Sequence, residues 1–155
     1  MVRIRRRTSL LAFLGGLLLV LVPAPAEAKG KAKVEVAAVE WKSPKEAEKA
    51  REKRLSTEVR RAAQRSAKSL DFGPPGRVEI SFVVVDVGIE KLGDIVRVSC
   101  TLVGRLKGGG RARSKLRFGG KPEDLKKLEK QVVVAATDGV MVRLSEMARA
   151  RPTEG

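Results

Sequence analysis

The sequence predicts one small α+β domain in the order β-α-β-β-β-α, an antiparallel sheet carrying two long helices on one face. Three observations carry this. Apolar residues recur at helical spacing over 44–70 and again over 122–149. Between those stretches, three segments alternate with period two and are separated by glycine-containing turns. A shorter alternating segment, 33–41, precedes the first helix. The expected domain occupies 29–150, with a frayed tail at 151–155, and the 127 residues that follow the first 28 suit a single modest core.

The first 28 residues read as an address and not as part of the fold. Arg3, Arg5, Arg6 and Arg7 form a positive start, 10–22 is uninterrupted apolar sequence, and Pro23 and Pro25 break it. Ala26 and Ala28 then place small residues where a signal peptidase reads them, so cleavage is expected before Lys29. The apolar run reaches only roughly 20 Å as a helix, short of a hydrocarbon core of about 30 Å. The mature form is therefore expected to have no transmembrane span and to be exported, periplasmic in a Gram-negative host or otherwise secreted. No Cys lies near the cleavage site, which argues against a lipoprotein anchor.

In the mature chain, the segment 33–41 is a plausible first strand. Ser43, Pro44 and Glu46 form a helix-start signal: a capping hydroxyl, a proline at the first helical position and a capping-box carboxylate. Leu55, Val59, Ala62, Ala63, Ala67 and Leu70 then trace a stripe whose alanines imply close packing on a sheet. Phe72-Gly73-Pro74-Pro75-Gly76 ends that helix. In 77–89, Val78, Ile80, Phe82 and Val84 share one face, while Val85, Val87 and Ile89 fall on the other; the phase change suggests a bulge. Leu92-Gly93-Asp94 forms a turn into 95–106, where Val96, Val98, Cys100, Leu102 and Leu106 point inward. Gly108–Gly110 turns again into 111–118, with Ala112, Ser114, Leu116 and Phe118 inward. The last helix starts near Pro122, with Glu123 and Asp124 favouring its dipole. Its stripe is Leu125, Leu128, Val132, Ala135, Ala136, Val140, Leu144 and Met147.

The formal charge is +15, and loss of the leader's four Arg and one Glu leaves +12. The last helix, 122–149, is neutral, whereas 44–70 carries nine basic and four acidic residues. The segment 97–118 holds seven basic residues and no acidic one: Arg97, Arg105, Lys107, Arg111, Arg113, Lys115 and Arg117. A three-residue glycine loop would set Lys107 opposite Arg111, Arg105 opposite Arg113, Val103 opposite Lys115 and Thr101 opposite Arg117. The cations then share the outward face of one hairpin, able to grip phosphates or carboxylates through guanidinium forks.

Composition removes several chemistries. The chain has no His and one Cys, so imidazole catalysis, thiolate clusters and intrachain disulfides are excluded. No paired carboxylates, metal-ligand spacing or phosphate-cradling loop is visible, and no cofactor or metal is expected. Cys100 reads as an inert core thiol. Lys126-Lys127-Leu128-Glu129-Lys130 resembles the K-K-x-x-K signature of double-stranded RNA-binding domains. Here, however, the helix starts a turn earlier at Pro122, the first helix is longer, and the leader directs export. Nucleic acid is therefore not the expected partner. The sequence points to a non-enzymatic exported protein. Its expected partner is an anionic envelope polymer, lipid head groups or an acidic protein. An interaction module whose charge serves solubility is the alternative.

Overall fold

The computed structural model describes residues 30–42 and 48–151. The expected leader with its expected cleavage residues Ala26 and Ala28, the expected helix-start signal at 43–46 and all but Arg151 of the expected tail at 151–155 lie outside the described residues. The elements are β1 (Lys33–Trp41), α1 (Lys49–Ser69), β2 (Arg77–Leu92), β3 (Ile95–Leu106), β4 (Arg111–Gly120), a single 3₁₀ turn (Pro122–Asp124) and α2 (Leu125–Arg149). The strands form one sheet in the order β1-β2-β3-β4. The predicted α+β class and element order are those observed.

The sheet is mixed, not antiparallel throughout. β2, β3 and β4 pair antiparallel, but β1 runs parallel to β2, with Val34 beside Val78 and Trp41 beside Val84. The cause is the connection. A helix the length of α1 carries the chain back to the end where β1 began, and such crossovers join parallel neighbours, whereas tight turns join antiparallel ones. Alternation in the sequence sets which side chains face inward, not strand direction.

Both helices cover one face of the sheet. Ile80, Phe82 and Val84 of β2 and Val96, Val98, Cys100 and Leu102 of β3 are almost completely buried beneath them. Leu55, Val59, Ala62 and Ala63 supply the buried face of α1. The buried face of α2 is wider than predicted and turned. Val133 and Met141 are inside, while Ala135 is only half-buried and Met147 is 37% exposed. The reason is that α2 packs on β3, on β4 and on α1 at once, so a narrow stripe cannot serve all three. The strand-like Val132-Val133-Val134 run remains helical.

Polar ties fix the layers. Trp41 Nε1 donates to Ser56 Oγ at 2.9 Å, linking β1 to α1. Ser66 Oγ donates to Asp138 at 2.6 Å, and Glu129, 3% exposed, accepts from both Arg51 and Arg54 of α1. Burial acts to lower the Arg51 pKa, but its hydrogen bonds to Glu129 and Glu48 outweigh that and raise it.

The predicted bulge in β2 lies between Val84 and Asp86. One extra residue restores the original phase, so Val87 returns to the helix-covered face opposite Cys100 and does not continue on the outer face. Ile89 pairs with Val98 on the same phase but lies towards the sheet's end and is 41% exposed. Among the described residues no helix is long and apolar enough to cross a membrane.

Candidate functional site

The uncovered face of the sheet holds the basic hairpin. β4 alternates between small or apolar residues facing α2 and cations facing solvent, so Arg111, Arg113, Lys115 and Arg117 are all exposed. From β3, Arg97 and Arg105 join them on the same phase. The sequence therefore placed the six strand cations on the correct face.

Their register is not the predicted one. Arg105 lies opposite Arg111, Val103 opposite Arg113, Thr101 opposite Lys115 and Ser99 opposite Arg117. The pairing is slipped by two residues from the expected one. The backbone shows why. Leu106 N–H donates to the Gly110 carbonyl at 3.0 Å, so Gly110 completes the ladder and the turn is Lys107-Gly108-Gly109. Gly108, Gly109 and Gly110 all have positive φ, from 84° to 113°, which glycine adopts without steric cost. A slip of two keeps every side chain on its face, so apolar patterning cannot detect it. Its electrostatic effect is substantial, because Arg105 and Arg111 become the one directly opposed cation pair between these strands.

The seven predicted anion-binding residues separate into three groups. Arg105, Arg111, Arg113, Lys115 and Arg117 form the open cluster. Among the described residues, no carboxylate lies within ion-pairing distance of any of them. Lys107 is different, because its Nζ lies 2.8 Å from Glu79, which also pairs with Arg77 at 3.3 Å, while Arg77 reaches Glu35 at 2.9 Å. The hydrogen bond from Lys107 holds the Glu79 carboxyl below the usual carboxylate range. Lys107 therefore pins the turn to β2 and is not a free cation. Arg97 sits at the opposite end of β3, directly across from Glu90 and beside Gly119. The outer face thus runs from a charge-compensated β1–β2 side, bearing Glu35 and Glu79, to an uncompensated β4 edge.

The sequence reading overlooked the apolar floor beside these cations. Val83 of β2 and Val103 of β3 are direct partners, and Val103 is only 2% exposed although no helix covers it. With Val85 they floor a groove of about 290 Å³, whose rim is Lys42, Arg105, Arg111 and Arg113. The signal in the sequence is faint: of the three valines only Val103 stands near an arginine, Arg105, on its own strand, while Val83 and Val85 lie within an unbroken valine run. The β4 edge has its own guard, since Arg143 of α2 donates to the Arg113 carbonyl at 2.9 Å.

Cys100 is fully buried, and burial pushes its thiol up to about 12, as the inert reading requires.

No family model matches the chain, and no curated protein matches it. Several solved structures are similar. One is a protein designated a lipoprotein from Caulobacter crescentus CB15, with 11% identity over 73% of this chain and 92% of that one, TM-score 0.49. Another is a minor lipoprotein from Acinetobacter baumannii, with 8% identity over 77% and 100% of the two chains, TM-score 0.45. A third is a PelC dodecamer from Paraburkholderia phytofirmans, with 11% identity over 74% and 87%, TM-score 0.44.

Proposed function

We propose that this is an exported, non-enzymatic protein that binds an anionic component of the cell envelope through the open face of the β3–β4 hairpin. One observation carries the reading: five exposed cations, Arg105, Arg111, Arg113, Lys115 and Arg117, share the hairpin's outer face, and among the described residues no carboxylate lies within ion-pairing distance of any of them, although Glu40 and Asp86 stand farther off on β1 and β2. Five like charges on one hairpin face repel one another, and an anion supplies what the fold leaves out. Guanidinium groups suit phosphate and carboxylate equally, so the chemistry is that of an anionic polymer, lipid head groups or an acidic protein surface.

Replacement of Arg105, Arg113 and Arg117 by Glu, followed by co-sedimentation with envelope fractions across a salt series, tests the reading. The unsubstituted protein should sediment at low salt and be released as salt rises, and the folded variant should stay in the supernatant. Equal sedimentation of both proteins refutes it.

A second reading has its own observation. β4 is an edge strand, and cations at every second position discourage another strand from pairing there. On that reading the Glu variant, whose edge is still charged, loses no envelope binding, and replacement of the same residues by Val leads to self-association.

A further inference from the structure

The groove beside the cations narrows the class of anion. The geometry points to a single-chain anionic amphiphile, its head group held by Arg105, Arg111 and Arg113 with Lys42, and its alkyl chain lying over Val83, Val85 and Val103. This deepens the proposed anion binding and rests on it.

A face that met only water or a fully hydrated polyanion would gain nothing from an apolar floor, yet three valines adjoin between β2 and β3 beneath a cationic rim. No carboxylate lines the groove, and Glu40, opposite Val83 on β1, is outnumbered by the four rim cations, so a neutral apolar ligand would leave most of their charge unanswered. A second copy of the chain docking through this same face would bring the same cations against it and be repelled. The leader, with four Arg and one Glu, has the wrong sign as well. The volume of about 290 Å³ lies at the lower end of small-molecule sites, which suits one alkyl chain and not a two-chain lipid. Val83 and Val85 are half-buried, so a ligand can still remove their remaining surface from water.

The test is calorimetric titration of the full chain with hexyl, octyl and decyl phosphate below their micellar concentrations. Inorganic phosphate and octyl glucoside supply head-only and tail-only controls. Affinity should rise by about two- to fourfold per methylene, the upper value being full burial. Both controls should bind at least roughly tenfold more weakly than octyl phosphate, since each lacks one half of the recognition. V83T/V85T keeps side-chain shape and charge and should flatten the chain-length series. It should leave salt-dependent binding of dextran sulfate, a polyanion with no alkyl chain, unchanged.

Alkyl phosphates that bind no better than inorganic phosphate at any length overturn the groove assignment, while the face reading survives if dextran sulfate still binds. A chain-length series without dextran sulfate binding supports the groove and overturns the polyanion reading of the wider face. Octyl glucoside binding as tightly as octyl phosphate overturns the role given to the arginines. A chain-length series that persists undiminished in V83T/V85T overturns the valine floor.

Discussion

Among the glycines of the sheet, Gly104 leaves the least room beneath α2, and Gly104→Ala tests that packing. The residue lies on the inward phase of β3, between Leu102 and Leu106, facing α2. A Cβ added there would sit 2.5 Å from Val140 Cγ1 and 2.9 Å from Leu144 Cδ1. Ordinary carbon contacts lie near 3.5–4.0 Å, so Val140 must retreat by about 1 Å. Leu144 can turn its end aside. Val140 cannot do so cheaply, because a valine in a helix has essentially one χ1 well. Overpacking of this kind costs about 1–3 kcal/mol. Replacing glycine also removes unfolded-chain entropy, an opposing gain of about 0.4–1 kcal/mol. The net expectation is a loss of about 1–2 kcal/mol, visible as a fall in Tm of roughly 4–8 °C. Urea unfolding of G104A, V140A and the double variant provides the cycle. Removing Val140 Cγ1 should relieve the clash, so the double variant should be more stable than the sum of the singles predicts by about 1 kcal/mol. A neutral G104A, or singles that simply add, would refute the close approach of α2 to the bare backbone of β3.

Three further outcomes follow from the same structure. Cys100, buried and with its thiol pushed up to about 12, should resist alkylation at neutral pH until denaturant unfolds the chain; rapid labelling of native protein would contradict this burial. Glu79 has a folded pKa below its unfolded value, so its stabilising effect is complete above the ordinary carboxylate range and is lost as pH falls through the depressed folded value. Stability curves at a series of pH values should therefore be flatter for E79Q than for the unsubstituted protein in that acid window, and parallel curves would count against the Lys107–Glu79 tie. Glu129→Ala removes the carboxylate joining Arg51 and Arg54 across the helix pair and should cost about 1–3 kcal/mol in chemical denaturation, since one partner is buried and the arginines are partly solvated.

Much of this architecture is legible in the residues, for reasons that differ by element. β1 and β3 have the bounds the sequence implies, because alternation marks most of each strand, although it blurs at Val36-Ala37-Ala38-Val39 in β1 and at Leu102-Val103 in β3. The bulge at Val84/Asp86 is visible as a phase error in a valine run, yet the sequence does not reveal that Val87 regains the inner face. The parallel pairing of β1 escapes detection because a strand's side-chain pattern is the same in either direction. The buried face of α2 is blurred because apolar residues surround much of the helix and only its three packing partners select among them.

The candidate face shows the same division. Parity places Arg105, Arg111, Arg113, Lys115 and Arg117 outward, and that much needs only period-two counting. Removing Lys107 from the open cluster requires knowing that Glu79 lies beside it, a contact between residues 28 positions apart. The valine floor needs β2 and β3 aligned, since Val83 and Val103 are far apart in sequence and opposite one another in the sheet.

The central claim is that the location of the charge, and not its total, confers anion binding. Two triple variants separate the alternatives: Arg105, Arg113 and Arg117 to Glu on the hairpin face, and Lys53, Arg65 and Lys68 to Glu on the exposed side of α1. Each changes the net charge by the same amount, so a general electrostatic attraction would weaken equally in both. Binding to immobilised dextran sulfate at moderate salt is the measurement. The account predicts that the hairpin variant loses at least roughly tenfold in affinity while the helix variant stays within about twofold. Equal losses in the two variants would contradict it.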